Sequence, residues 1–402
     1  MYHVIKSDIK YDVIVCGCGS AGFCAAVAAA RNGAKTALIE KYTAPGGILT
    51  VLGNTSIDQF NNPFKKDKKM IIGGIGWEFV MNLYRDGFAR IPDMNAEYKK
   101  HYQYGVKVNP VAAAKVMDDM LIGAGVDLYY GQPIVDVITH QKSIKSVLIS
   151  TKDGIKSMEA SAFIDCTGDG DVAHYANATT YDGDGNGAFQ PGTIRFYPAI
   201  SGEVKDKILR YGDNRNHVKM DTTSSDAITR SEIASRQMLY DAMMNGALIM
   251  ASAPAVAPRE GRRIKGISTM NVDDYLSGKQ YDDSICYTFW FVDIHKDDES
   301  TEILYIKHEN TPSVRLSAMI SDEFDNLMMA GRCISTDRKT NSAIRVKASC
   351  MAMGEAIGTA AALAIEHNVK AAELSIDELK SRLSERGAIV PGICEGEEFV
   401  LA

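Results

Sequence analysis

Asp12-Val13-Ile14-Val15-Cys16-Gly17-Cys18-Gly19-Ser20-Ala21-Gly22 is the stretch that decides the fold. Val13 to Cys16 is a short apolar run that predicts a buried strand, and Gly22 to Arg31 is small-residue text that predicts a helix. Gly33 stands where that helix should end, and Thr36 to Ile39 predicts the next strand. Between strand and helix sits Gly17-Cys18-Gly19-Ser20-Ala21-Gly22, a G-x-G-x-x-G turn. Each glycine has a separate task. Gly17 permits the tight turn, Gly19 lets a pyrophosphate approach the backbone, and Gly22 lets the helix pack closely on the sheet. The helix start offers free N–H groups and the positive end of a dipole to a diphosphate. Glu40 closes the second strand eighteen residues after Gly22, placed to accept from both ribose hydroxyls and to repel a 2′-phosphate. Strand, turn, helix, strand and acid together predict a dinucleotide-binding βαβ unit.

Outward from this unit the regular alternation stops. The chain enters a second glycine-rich turn, Pro45-Gly46-Gly47-Ile48-Leu49-Thr50, and then irregular text over 43–101 with one amphipathic helix near Trp77 to Tyr84. Gly73-Gly74-Ile75-Gly76 lacks the spacing of a second fingerprint. One dinucleotide-binding half with irregular insertions points to FAD rather than to a whole NAD-binding domain. Pro110 opens a helix through Leu121, and Val126 to Tyr130, Ile134 to Ile138, Ser146 to Thr151 and Ala162 to Asp165 are strand-like, which suggests an appended β-meander. A polar helix around Ser231 to Met244 and the aromatic run Tyr287 to Phe291 mark a different layer. Small-residue helix returns at Ser342 to His367, and Ser375-Ile376-Asp377-Glu378 has the capping-box pattern. The expected fold class is α/β: a Rossmann-like FAD-binding domain, with parallel sheet and appended meander, plus an inserted mixed α+β substrate domain. Its expected parts are 1–180 (with 43–101 irregular), a cap over 181–320, the returning FAD-binding part over 321–370, and a helix and tail over 371–402.

The 402 residues are 46% hydrophobic and 24% charged, an ordinary globular balance, with a formal net charge of -7. Nucleic-acid binding, which needs clustered Lys and Arg, is therefore not expected. Residues 1–15 show no leader pattern, and Gly17, Gly19 and Gly22 interrupt the most apolar early segment. A cytoplasmic protein without a membrane span is expected. Cys16, Cys18, Cys24, Cys166, Cys286, Cys333, Cys350 and Cys394 form no C-x-x-C pair, which favours buried free thiols over a disulfide framework, a dithiol redox centre or a zinc site. No metal is expected. His3, His101, His140, His174, His217, His308 and His367 have no partner spacing.

Three later segments carry a family resemblance. They are Phe163-Ile164-Asp165-Cys166-Thr167-Gly168-Asp169-Gly170-Asp171, Ala257-Pro258-Arg259-Glu260-Gly261-Arg262-Arg263-Ile264, and the run from Ala330-Gly331-Arg332-Cys333-Ile334-Ser335 to Gly354-Glu355-Ala356-Ile357-Gly358. With the fingerprint and Glu40, their order resembles the FAD-dependent oxidoreductase family of the glutathione-reductase-like flavoproteins, which is related to the flavin part of heterodisulfide reductase. Members usually carry alanine at the position of Cys166. The resemblance implies that Gly17, Gly19, Ser20, Ala21 and Gly22 hold the diphosphate and that Glu40, with Lys41 beside it, holds the adenosine ribose. It further implies that Gly46 and Gly47 pass the ribityl or phosphate region and that the Ile134 backbone meets the adenine. Thr167, Gly168 and Asp169 would form the strand-end turn against the cofactor, with Gly331 and Arg332 at a third contact. Independently, the helix from Ser342 has a glycine and alanine stripe for close packing. If its start near Ser342, Arg345 and Val346 faces the isoalloxazine, its dipole favours negative charge on the reduced ring.

A flavin supplies redox chemistry, so the protein must orient substrate and move one proton. Arg259, Arg262 and Arg263 cluster beside apolar text and suit a carboxylate, enolate or polar oxygen, although they equally suit a domain seam. His295, in Phe291-Val292-Asp293-Ile294-His295, can act as acid or base near neutral pH. The expected activity is hydride transfer between FAD and a small polar or anionic organic molecule. Self-association is left open. The alternatives are a flavin electron-transfer component of a larger redox complex, disfavoured because iron–sulfur cysteine runs are missing, and a non-catalytic FAD-binding module.

Overall fold

The computed structural model describes residues 4–64, 70–94, 96, 101–198, 212–298, 300–306 and 310–393, with the side chains of 101, 102, 198 and 212–217 left aside. Cys394, His3 and His308 lie outside the described residues, as do the side chains of His101 and His217. The chain opens with β1 (Val4–Cys16), α1 (Ser20–Arg31) and β2 (Thr36–Glu40). Val13 to Cys16 pair in parallel with Thr36 to Ile39, so the fingerprint lies at the carboxyl ends of adjacent strands. The 43–101 stretch is more ordered than its composition suggests. It contributes β3 (Ser56–Ile57), α2 (Gly74–Arg85) and β4 (Ala89–Arg90), and with β5 (Val106–Val108) these strands make a small antiparallel sheet in the order β3-β5-β4.

Asn109 caps α3 (Pro110–Gly123) through its side chain, with Pro110 in the first turn where its missing N–H costs nothing. Then follow β6 (Asp127–Tyr130), β7 (Ile134–His140), β8 (Ser143–Thr151) and β9 (Gly154–Asp165). β6 adds to the edge of β2 in parallel; it is not part of the meander. The meander β7-β8-β9 belongs to the same sheet, because β9 also runs parallel to β1 from Val4 to Cys16. β9 is followed by α4 (Asp171–Tyr175).

The next layer holds β10 (Thr180–Tyr181), β11 (Gly192–Pro198), β12 (Gly212–Val218), α5 (Ser225–Met244), β13 (Ile249–Ser252) and β14 (Arg263–Ile264). β11 lies between β12 and β13, and Ile194, Phe196, Val218, Met220, Leu239, Ala253 and Val256 form a small separate core there. From Ile264 onward the apolar residues join the main core instead. That later part contains α6 (Val272–Ser277), β15 (Ser284–Tyr287), β16 (Val292–His295), β17 (Thr301–Leu304) and β18 (Ser313–Arg315). The aromatic run is thus not one strand: β15 ends at Tyr287 and pairs β18, while β16 pairs β17.

β19 (Leu327–Met329) returns beside the last residues of β9, giving five parallel strands in the order β6-β2-β1-β9-β19. After it come α7 (Arg338–Ile344), α8 (Lys347–His367) and α9 (Ile376–Glu385). The sequence predicts one helix from Ser342; the structure breaks it at Arg345 and Val346. Val346 is extended and caps α8, and the Ala348 N–H bonds the Asp58 carbonyl at 3.1 Å. Ser375 caps α9, but Glu378 does not complete the box, since its carboxylate bonds His367 Nε2 at 2.8 Å.

α8 is long and apolar enough to cross a membrane, yet 89% of its apolar window is buried here. It packs on α1, where a Cβ at Gly354 would lie 2.0 Å from the Ala21 carbonyl oxygen and one at Gly358 2.2 Å from that of Ala25. The glycine stripe therefore exists to let two helix backbones touch. The seven cysteines among the described residues are all buried. Among the described residues no group of three His, Cys, Asp or Glu has metal-binding proximity.

Candidate cofactor and active site

The parallel strands β2, β1, β9 and β19 all end at one long cavity of about 1100 Å³. Ligands of open α/β sheets bind at this carboxyl edge. At its first end lies the fingerprint. Gly17 has a φ of +97°, and a Cβ on Gly22 would sit 1.8 Å from the Gly17 carbonyl oxygen. Gly22 therefore packs beneath the turn and is not on the cavity wall, whereas Gly17, Gly19, Ser20 and Ala21 are. A Cβ at Gly19 would meet nothing within 4 Å; it would stand in the cavity, in front of a helix start that no side chain caps. That open cradle fits a diphosphate. Gly46 donates its N–H to the Cys18 carbonyl at 2.6 Å and shapes the next turn from behind. Gly47 lines the wall, its missing Cβ 3.3 Å from the Gly19 Cα.

Glu40 is buried at the end of β2. Its Oε2 accepts from the Cys18 N–H at 2.6 Å and its Oε1 from the Tyr42 N–H at 2.8 Å, which ties the acid to the glycine turn. Burial pushes its pKa up, and these hydrogen bonds oppose the push. Each oxygen keeps a further lone pair for a hydroxyl. Lys41 lines the wall beside it. Burial works against its charge, but Asp169, Tyr42, Asp171 and Glu40 outweigh that and raise its pKa. Ile134, at the start of β7, completes this end.

Thr167, Gly168 and Asp169 follow β9 on the wall. Asp165, which the sequence reading passed over, organises their turn. Its Oδ1 accepts from the Thr167 N–H and hydroxyl, and its Oδ2 from the N–H groups of Val172 and Ala173. Burial raises it to about 6. Gly331 approaches Ala21, a Cβ there lying 3.1 Å from the alanine methyl. The Arg332 guanidinium is committed: it donates to the Gly168 carbonyl at 2.8 Å, the Pro258 carbonyl at 3.0 Å and Asp169 Oδ1 at 2.6 Å. It locks the β9 turn to the cap. Ser342 is on the wall, but its hydroxyl donates to the Lys339 carbonyl and accepts from the Asp293 N–H, which joins α7 to β16. Arg345 bonds the Arg259 carbonyl, Asp293 Oδ1 at 3.1 Å and Gln190 Oε1 at 3.3 Å.

The far end of the cavity is built by the cap and the 43–109 insertion. Of the arginine cluster only Arg259 reaches it. Arg262 instead bonds the Asp169 carbonyl at 3.2 Å, Asp171 at 3.4 Å and the Thr223 carbonyl at 3.5 Å. Arg263 follows the β10–β14 ladder away from the wall and donates to the Gly183 carbonyl at 3.1 Å, with Nε and Nη1 left without partners. The structure therefore does not bring Arg262 or Arg263, expected as catalytic, to the cavity wall: Arg262 is engaged by Asp169, Asp171 and Thr223, and Arg263 turns to the Gly183 carbonyl. His295 does line the cavity. Its Nδ1 is 3.2 Å from the Thr301 hydroxyl and its Nε2 3.4 Å from Asp293 Oδ2, and burial lowers its pKa despite Asp293. Trp290 and Phe291 stack at 4.6 Å between β15 and β16, with Tyr305 tilted on Phe291 at 5.5 Å, and these three form an aromatic wall. Lys347, Arg195, Lys107, Arg90 and Asp58 also line this end, and no motif in the sequence signalled them.

The cavity thus pairs an open, uncapped helix start and the buried acid Glu40 with a separate polar and aromatic end. The sequence profile described as FAD dependent oxidoreductase matches residues 12–247 and 229–383, most of the chain. The chain belongs to the FAD dependent oxidoreductase family. It is an FAD-dependent oxidoreductase and FAD is its cofactor, whose diphosphate the open cradle at Gly19 fits. No curated protein matches the sequence. Solved structures similar to this family member include a geranylgeranyl bacteriochlorophyll reductase-like protein from Thermoplasma acidophilum (12% identity, 94% of this chain and 84% of that one, TM-score 0.44). Others are a flavoprotein/dehydrogenase from Cytophaga hutchinsonii (13%, 94% and 86%, 0.45) and the OxyS anhydrotetracycline hydroxylase from Streptomyces rimosus (13%, 94% and 66%, 0.43).

Proposed function

We propose that the protein transfers a hydride between the flavin and a small polar organic substrate held at the cap end of the cavity. The observation that carries this reading is the continuity of the cavity, from the cradle at Gly19 and Glu40 to the cluster of Arg259, Asp293, His295 and Thr301. FAD, when bound, supplies the two-electron chemistry at its N5 atom. The residues of the chain do the rest. Gly17, Gly19, Ser20, Ala21 and Gly47 give the diphosphate its backbone cradle, and Glu40 takes the ribose hydroxyls. The start of α8 at Val346 brings a positive dipole end to the cavity. Trp290, Phe291 and Tyr305 exclude water from one side. The proton that accompanies the hydride passes between substrate and the Thr301 hydroxyl, with His295 Nδ1 as the acceptor behind it. The lowered pKa keeps that imidazole neutral and able to accept near neutral pH. Asp293, held by Arg345, orients the ring from its other nitrogen.

Anaerobic screening of metabolites for bleaching of the oxidised flavin band tests this reading. It expects one class of small polar metabolite to reduce the flavin, and His295→Gln to shift the pH profile of that reduction. A protein that stays colourless after FAD is supplied refutes it. Flavin reduced only by a protein partner, and by no metabolite, supports electron transfer instead.

A further inference from the structure

Lys347 is the first residue of α8 and is 8% exposed, yet its ammonium has no hydrogen-bond or ion-pair partner among the described residues. It stands on the cavity wall at a helix start with no side-chain cap and no acidic residue in its first turn. Among the charges Asp58 acts on it most strongly and favours the ammonium, as does the Cys350 thiol, while Arg195 and Lys107, which line the same cavity, act against it. Burial, reinforced by Arg195 and Lys107, pushes Lys347 down to about 8 although Asp58 pulls the other way. The Asp58 carboxylate is in turn engaged by the Ser56 hydroxyl at 2.8 Å.

The three cations come from three separate parts of the fold: Lys347 from α8, Arg195 from the cap strand β11, and Lys107 from β5 of the insertion. In the insertion sheet Ser56 stands opposite Lys107, and Lys107 opposite Arg90. Residues in register on neighbouring strands leave the same face, and all three line the cavity. A further cation, Arg90, thus joins the same pole. Burying an ammonium is costly, and like charges gathered around it raise the cost; Asp58 is the one carboxylate set against them in the causes that act on Lys347. None of these cations belongs to the elements that cradle the diphosphate at α1.

We propose that this pole is an anion subsite, and that the substrate carries a carboxylate held by Lys347, Arg195 and Lys107 at the start of α8. The proposal rests on the reading of the cavity as a joint flavin and substrate site, and it names the substrate class that reading leaves open. A carboxylate there pairs with the Arg195 guanidinium and fills the acceptor role that the Lys347 ammonium lacks.

The test titrates the FAD-bound protein with acetate and succinate, and with acetamide and succinamide as neutral probes of similar shape. Binding is read from the flavin absorbance band and by calorimetry. The carboxylates are expected to saturate the site and the amides to bind at least about tenfold more weakly. Lys347→Met and Lys107→Met are each expected to weaken carboxylate binding roughly tenfold to a hundredfold. Lys115→Met, on the exposed face of α3, changes the net charge equally and leaves binding unaltered. Because Lys107 sits on a separate element, its variant decides the matter if Lys347→Met does not fold. A wild-type protein without flavin absorbance would overturn the cofactor reading itself. In a protein that does hold flavin, carboxylates that never saturate, amides that bind equally well, or variants with wild-type carboxylate affinity overturn the subsite alone.

Discussion

Glu355 offers a quantitative check on the packing of α8. It is 3% exposed where α8 meets the start of α2; its Oε2 accepts from the Ile75 N–H at 2.9 Å and its Oε1 has no partner. A Cβ on Gly74 would lie 2.2 Å from that carboxyl, so α2 begins pressed against it. Burial raises the carboxyl from 4.5 to about 8, the Ile75 hydrogen bond and Arg31 offsetting only part. At neutral pH it is therefore a neutral acid in the fold and an anion in the unfolded chain. The favourable contribution is fully present below about pH 4.5 and is lost as pH rises toward 8. The gap corresponds to about 5 kcal/mol in all, or about 1.4 kcal/mol for each pH unit crossed. Glu355→Gln removes the ionisation while an amide oxygen can keep the Ile75 bond. Urea denaturation of the FAD-bound protein and the variant at a series of pH values between 5 and 8 measures the effect. The variant should gain on the wild type by about 1.4 kcal/mol per pH unit. Parallel curves would show that the carboxyl is ionised in the fold and that the reasoning fails.

Gly19→Ala should fold normally, because its Cβ meets no protein atom, yet lower FAD affinity by at least about tenfold by blocking the cradle; flavin content after gel filtration checks this, and full retention contradicts the cradle. Arg332→Met strips three hydrogen bonds and strands Asp169, so it should cost about 3–5 kcal/mol, visible as a lowered thermal midpoint. Arg263→Met should leave turnover unchanged and stability the same or higher, since burial already disfavours its charge and Nε and Nη1 lack partners. Arg259→Met, altering the wall itself, should lower turnover. Equal losses in both variants would show that the seam, not the wall, governs activity.

The legible part of the site was the part held by short-range geometry. A strand, a glycine turn and a helix are adjacent in the chain, and Glu40 is placed by the next strand, so the spacing from Gly17 to Glu40 already implies the bonds that join Cys18 to the Glu40 carboxylate. The placing of the later segments, Thr167 to Asp169 and Gly331, at the cofactor edge rests on the family resemblance; in the fold both follow strands of the parallel sheet. The arginine cluster misled for a reason of the same kind. Arg259, Arg262 and Arg263 are close in sequence, but only packing shows that one faces the cavity while two are absorbed by the carbonyls of Asp169, Thr223 and Gly183.

By itself the sequence determined the dinucleotide-binding unit and the α/β class, because each follows from residue type at fixed local spacing; the choice of FAD needed the lack of a second fingerprint and the family resemblance as well. At the far end Arg259 and His295 were legible, and tertiary structure alone brought the other residues beside them. Lys107, Arg195, Asp293, Thr301 and Lys347 are ordinary residues on short strands and a helix start, and whether such a side chain meets solvent or a cavity depends on register and on what packs opposite. The break before α8 shows the same dependence. No glycine or proline marks it; Arg345 is drawn to Asp293 and the Ala348 N–H to the Asp58 carbonyl. Those distant partners turn a single predicted helix into two and put Lys347 at the mouth of the second.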